Sequence, residues 1–599
     1  MSLIMRWWLA PVAIALLLSS LGTPATLIHA FAQESQTPAE GTMLVPTAEF
    51  RLDARPGTGS IDRQNNLITV DCPAPQEEAW ALQVQCEPIS NSVSAFEVFC
   101  VSFDARALPS NTDGLGSIHV SMATNDPWEP IEEPNGFRTF DVPNQWHPFR
   151  ICFRAKQDYD AKRVYASIQC AEKKQRLEIR DLKLVGLGNV PDASLPFTRL
   201  FYPGADNDAW RSEAQRSIDR HRKRNLTIRV VDAAGQPLAG ATVQVQQQKH
   251  DYAFGTFVGN TPIHAGEDAA KFRDQTKRWF NRVTLPRYWA DWGTDRPAGV
   301  VKADATAEWA IDAGFEIKNH LLLYPQFIPD RVKQLADQPS RFQTEIETAM
   351  DAALERTRDM PIAVWDAINE LRDVSLVGDV LGRDYYADVF NRGQRSQPNA
   401  RWFINEYGLM TGGSERSKHL ATYIQQIEQI LDSGGAVEGI GVQGHFQADL
   451  ITMPEAWKIL NELSRFQLPI EITEFDVDTR DEATQAQFTR DFLTLVFAHP
   501  ATTGFTTWGF WEGDMWRPHG AMIREDWTIK PNGQVWEELI FQTWWTDQTV
   551  QTNADGIAIV RAFRGTHRVQ AEAQDWARIR TANLLEDETI TLQIGVSGE

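Results

Sequence analysis

The sequence predicts a multidomain protein: a (β/α)8 TIM barrel preceded by an all-β, jelly-roll-like sandwich and followed by a small β appendage. Three observations predict it. From about residue 250, eight apolar strand-like runs alternate with helical segments, the rhythm of a parallel sheet covered on its outer face. Eight such units in about 290 residues fit a closed barrel. Before residue 190, short alternating runs are separated by turn residues every dozen or so positions, the spacing of a β-sandwich. After residue 552 the short-strand rhythm returns.

Taken in order, the chain opens on an export signal. Arg6 precedes an apolar run from Leu9 to Leu18, and "AFA" at 30–32 supplies a small-x-small cleavage site. This assigns residues 1–32 to a signal peptide and the polar stretch 33–44 to a flexible leader. No later segment approaches the ~20 apolar residues of a membrane span. The sandwich occupies 45–190, with runs such as "SAFEVFCVSFDAR" (94–106) and "RLEIRDLKLVGL" (176–187). Residues 191–249 form a Pro- and Asp-rich linker, a basic helix at 209–224 and a hairpin at 226–247. The barrel spans 250–545, and 546–599 forms the β appendage.

Composition narrows the partners. With 58 Lys and Arg against 80 Asp and Glu, the net charge is −22, which argues against nucleic acid or an anionic membrane surface. The basic helix therefore reads as a joint between domains. The 21 Trp suit neutral, ring-shaped ligands. All five Cys (Cys72, Cys86, Cys100, Cys152, Cys170) lie in the first third without a C-x-x-C pair, so no metal site is expected. In an exported chain one or two disulfides can form, but Cys100 and Cys152 sit in apolar strands, and plain buried thiols are the favoured reading there. The expectation is an exported monomer, extracellular or periplasmic, that takes a polysaccharide and uses no cofactor.

Active sites of such barrels lie at the C-terminal strand ends. Those ends carry His320 on the third run, Asn369 and Glu370 on the fourth, and Asn405 and Tyr407 on the fifth. The sixth offers Gln443 and His445, the seventh Glu474 and Asp476, and the eighth Trp508. Two carboxylates on strands four and seven are the parts needed for glycoside hydrolysis: one protonates the leaving oxygen, the other attacks carbon or activates water. Glu474 and Asp476 share a strand face by the period of two, so Asp476 can orient His445 toward Glu474. "GIGVQG" (439–444) matches G-x-G-x-x-G but accompanies a late strand with no helix directly after it, so a dinucleotide site is rejected.

These residues also resemble a known family. "VWDAINE" (364–370) resembles the W-D-V-V-N-E motif around the acid/base of glycoside hydrolase family 10, the endo-β-1,4-xylanases, and "EITEFDV" (471–477) resembles its I-T-E-L-D-I nucleophile motif. "FINEYGL", "GVQGHF" and "TTWGFWEGDMWRP" are similar to its strand-five, strand-six and Trp-rich strand-eight segments. The resemblance covers roughly 250–540. It implies a retaining, xylan-degrading hydrolase with Glu370 as acid/base and Glu474 as nucleophile, supported by His445 and Asp476. It places His320, Asn369, Tyr407, Gln443, Trp508 and Trp516 around the sugar. Residues 45–190 resemble the carbohydrate-binding modules attached to such enzymes.

Two segments depart from the family. Where it carries E-N-x-x-K-W for the non-reducing-side sugars, this chain has "TLPRYWADW" (284–292), making Arg287, Tyr288, Trp289 and Asp291 the candidates to read a different sugar. Where it carries H-T-L-V-W-H, this chain has "HLLLYP", with Tyr324 and Pro325 in place of Trp and His. The alternatives to a xylanase are therefore a hydrolase of another β-glycan and a non-hydrolytic carbohydrate-binding protein.

Overall fold

The computed structural model describes residues 41–595 except 110–114, 133–136, 206–207, 289–296, 373, 412–415 and 574–575. The expected signal peptide and most of the leader lie outside the described residues, as do Trp289 and Asp291. No helix among the described residues is long and apolar enough to cross a membrane.

The N-terminal part is a sandwich of two six-stranded sheets. One runs 147–154, 98–107, 175–188, 67–72, 60–64, with 42–46 added to the long strand 175–188. The other runs 51–54, 82–85, 164–169, 116–125, with 128–130 and 137–142 both pairing the last. Strand alternation turns Ile68, Val70, Val101, Phe103, Ile118, Val120, Ile168 and Ile179 into one buried layer between the sheets. Cys100 and Cys152 form a disulfide, which corrects the buried-thiol expectation. They stand directly opposite each other in the ladder, and Leu187, Val190 and Leu195 cover them. Cys72, Cys86 and Cys170 are free and buried.

Helix Ala209–His221 is held to the barrel by polar contacts. Arg211 pairs with Asp491 at 2.8 Å, and Tyr202 donates to the same carboxylate at 2.9 Å. The buried Arg222 donates to the carbonyls of Phe497, His499 and Thr502.

Eight strands form the barrel: β1 (Ala253–Phe257), β2 (Arg282–Pro286), β3 (Glu316–Leu323), β4 (Ile362–Asn369), β5 (Arg401–Glu406), β6 (Gly439–Val442), β7 (Ile470–Val477) and β8 (Thr502–Thr507). Every pairing is parallel, and β8 pairs with β1 to close the ring. The interior is not wholly apolar. Arg282 pairs with Glu471 at 2.8 Å and Lys318 with Asp366 at 3.0 Å, all four buried. Burial opposes the Glu471 charge, but Arg282, Lys318 and Arg401 outweigh it and hold that carboxyl down at about 2.

The hairpin expected at 226–247 does not form: its two strands lie in different sheets, each completed by strands of the C-terminal tail. Strand 223–231 pairs with 557–563 and 588–593, and strand 242–250 pairs with 547–551 and 565–573. Closure of the barrel explains it: β1 and β8 are neighbours, so the chain enters and leaves side by side. Without the tail neither strand would have a hydrogen-bonded neighbour.

Candidate active site

All eight strands run the same way, so their C-terminal ends share one rim. At that rim lies a cleft of about 560 Å³ lined by His320, Asn369, Glu370, Tyr407, Gln443, His445, Glu474, Trp508 and Trp516. Asp476 and Asn405 do not line the cleft: Asp476 sits behind His445 and Asn405 behind Asn369 and Glu474.

Local backbone devices aim these side chains. In β4, the register slips between Asp366 and Ile368, so Asp366 and Asn369, which strict alternation would send to opposite faces, both turn inward. Asp366 meets His320 Nδ1 at 2.8 Å. Asn369 Oδ1 accepts from Asn405 Nδ2 at 2.8 Å. Glu370 then leaves the strand with φ +54°, the left-handed region that a residue with a Cβ rarely occupies. Just after β6, Gly444 has φ +99°, and this turn between Gln443 and His445 lets both reach the cleft.

Hydrogen bonds connect the two carboxylates. Gln443 Nε2 donates to Glu370 Oε1 at 2.8 Å and lies 3.5 Å from Asn369 Oδ1. Asn405 Nδ2 joins Asn369 to Glu474 Oε1, the latter at 2.7 Å, while Asn405 Oδ1 is fixed by the Thr473 hydroxyl at 2.7 Å. His445 bridges Glu474 Oε2 at 3.0 Å and Asp476 Oδ2 at 2.9 Å. Burial disfavours a charged ring, yet Asp476 and then Glu474 overcome it and raise His445 to about 9. A protonated imidazole donates to both carboxylates at once. Asp476 Oδ2 also accepts from Trp516 Nε1 at 3.1 Å.

Two partners of Glu370 come from outside the strands. Tyr324 Oη donates to Oε2 at 2.5 Å and Gln326 Nε2 to the same oxygen at 3.1 Å. Tyr324 precedes and Gln326 lies within a single turn at 325–327 after β3, where no periodicity marks a side chain as functional. Burial, and next the Glu370 charge, push the Tyr324 phenol up, so it stays a donor. Tyr324, Phe327 and Tyr288 form an aromatic wall, with ring centres 4.7 Å and 5.9 Å apart along it. Arg287 does not join that wall. It is buried and reaches Asp304 at 3.5 Å, which corrects its reading as a sugar contact.

Away from the cleft lining, Glu406 is buried and accepts from the backbone N–H of Arg372 and Tyr407 at 3.2 and 3.0 Å. Burial nevertheless raises its carboxyl to about 8. Trp508 packs on Phe257 at 4.3 Å and presents its ring to His320 at 5.1 Å. Trp516 is half exposed at the cleft mouth. No cluster able to hold a metal ion occurs among the described residues.

The model for glycosyl hydrolase family 10 matches residues 248–535. The anti-sigma-I factor RsgI6 of Acetivibrio thermocellus is 28% identical over 367 residues, 60% of this chain and 46% of that protein. Endo-1,4-beta-xylanase 2 of Arabidopsis thaliana is 25% identical over 493 residues, 81% of this chain and 43% of its own length. The chain thus spans less than half the length of each. Xylanase 10B of Thermotoga petrophila RKU-1, solved with xylobiose, aligns over 49% of this chain and 95% of its own at 19% identity and TM-score 0.44. The barrel that carries Glu370 and Glu474, residues 248–535, is a glycosyl hydrolase family 10 domain.

Proposed function

We propose that this protein hydrolyses a β-1,4-linked xylan-type polysaccharide with retention of configuration, Glu370 serving as acid/base and Glu474 as nucleophile. The observation that carries this reading is the shared bonding of the two carboxylates through Asn369, Asn405 and Gln443, with His445 on Glu474.

In the first step a Glu370 proton passes to the glycosidic oxygen as its bond to the anomeric carbon breaks. A Glu474 oxygen bonds that carbon, giving a glycosyl ester. In the second step the Glu370 carboxylate takes a proton from water, the water oxygen bonds the anomeric carbon, and the ester bond breaks. Asn405 and His445 hold the nucleophile on one oxygen each, and Asn369, bonded by both Asn405 and Gln443, is placed to meet a sugar hydroxyl.

The sandwich reads as a carbohydrate-binding module and the protein as exported. The signal-like N-terminus and the Cys100–Cys152 disulfide support export, since disulfides persist in oxidising compartments.

The test is hydrolysis across a panel of β-glycans by the wild type, Glu370→Gln and Glu474→Gln, with the anomeric form of the first product followed by NMR. Loss in both variants and a β-anomeric product are expected; activity unchanged in both overturns the assignment. A second reading, a glycan-binding protein without turnover, draws on the rebuilt segments 284–292 and 320–325 and on a relative named as an anti-sigma-I factor. Binding without hydrolysis of any panel member is its signature. The intact His445–Asp476 pairing behind Glu474 favours hydrolysis, because a binder has no use for a held nucleophile.

A further inference from the structure

Thr139 belongs to the sandwich, yet it lines the cleft that holds Glu370 and Glu474. It sits on strand 137–142, which pairs with 116–125 at the border of its sheet. Its hydroxyl is anchored from below: Thr139 Oγ1 meets His119 Nδ1 at 2.8 Å, and His119 Nε2 meets Glu172, which also accepts from Ser117 Oγ at 2.9 Å. On the barrel side, Gln447 and Asp449 line the same cleft. Ala448, between them, is buried in the hydrophobic cluster of the sandwich. One loop after β6 therefore puts two side chains in the cleft and one in the neighbouring domain. The linker strengthens the joint: Arg480 donates to the Leu195 carbonyl at 2.6 Å, and Asp481 accepts from the Leu200 N–H at 3.1 Å. A module hung on a flexible tether shares no apolar cluster with a catalytic loop.

We propose that the sandwich is a wall of the catalytic cleft, on which a neutral, β-linked oligosaccharide rests through Thr139, Gln447 and Asp449. The inference rests on the glycan reading of the barrel. Strands β2 and β3, which bring Tyr288, Tyr324 and Phe327, lie across the ring from β6. A glycan chain thus meets an aromatic wall on one side and a polar wall on the other, which matches the apolar faces and hydroxyl rims of pyranose rings. The polar wall lengthens the binding path beyond the two sugars that flank the cut bond.

The experiment uses the full chain and compares kcat/KM on xylotriose and xylohexaose for the wild type, Thr139→Val and Thr139→Trp. The hexaose-to-triose ratio falls about threefold to tenfold in Thr139→Val, the effect of one hydrogen bond, and further in Thr139→Trp, which fills the wall. An unchanged ratio in both variants, including equal losses on both substrates, overturns the proposal. If the wild type cleaves neither substrate, the hydrolase reading fails on its own, and calorimetric affinity for xylohexaose then decides the wall. Weaker binding by Thr139→Trp supports it, while equal binding, or no binding by the wild type, overturns it.

Discussion

The Tyr324 phenol donates to Glu370 Oε2 at 2.5 Å, placing a hydroxyl where the xylanase pattern carries an indole. A hydroxyl can donate to the carboxylate and accept from the protonated acid, whereas Gln443 Nε2, which also faces Asn369, only donates. In the proposed mechanism the phenol donates to the Glu370 carboxylate left once the proton has passed to the glycosidic oxygen, and so eases that transfer. Tyr324→Phe should therefore lower kcat on xylan about tenfold, within the range that assisted proton transfer contributes. The loss should be much smaller on an aryl glycoside whose leaving group needs no proton. Equal losses on both would reduce Tyr324 to packing.

His445 gives a pH signature. Its folded value of about 9 lies above its ordinary 6.5, so its stabilisation is fully present below pH 6.5 and is lost as pH rises through 9. The contribution is up to about 3 kcal/mol. Melting temperature against pH should decline across that window in the wild type and flatten there in His445→Gln. An identical slope in the variant would count against a charged ring.

Glu406 predicts an asymmetric effect at lower pH. Raised to about 8, it keeps its proton in the folded chain while the unfolded chain loses it above about 4.5. Folding is therefore favoured below pH 4.5 and progressively penalised up to pH 8. Glu406→Gln, which mimics the protonated form, should match the wild type at pH 4 and melt higher at pH 8. A variant that melts lower at both would show that the carboxylate itself is needed.

Backbone conformation at Glu370 yields a comparison among inactive variants. With φ +54°, Glu370→Gly should be more stable than Glu370→Ala by about 1 kcal/mol in denaturant titrations, because a Cβ is disfavoured there. The reverse order would mean that the surroundings relax the turn once the carboxylate is gone.

The barrel was legible because each stave declares itself locally. The run at 362–370 becomes β4 at 362–369, and polar groups at stave ends needed only the rule that parallel strands share a rim. What stayed hidden was non-local or irregular. Tyr324 and Gln326 reach Glu370 from a short turn that has no period. Arg287 and Tyr288 are sequence neighbours that face opposite ways. The Cys100–Cys152 bond depends on the ladder register between strands about 50 residues apart, and the union of strands 223–231 and 242–250 with the tail, rather than with each other, on a closure that joins the two ends of the barrel.

That last union also sets a timetable for synthesis. The two strands ending at His250 leave the ribosome about 300 residues before the strands from Asp547 onward that complete their sheets. At ~5–20 residues per second, the gap is roughly 15–60 s. Throughout it, two strands with unpaired edges wait beside an unfinished barrel. The polar faces of strand 242–250, with Gln244, Gln246 and Gln248 along it, keep that nascent edge wetted until its partners arrive.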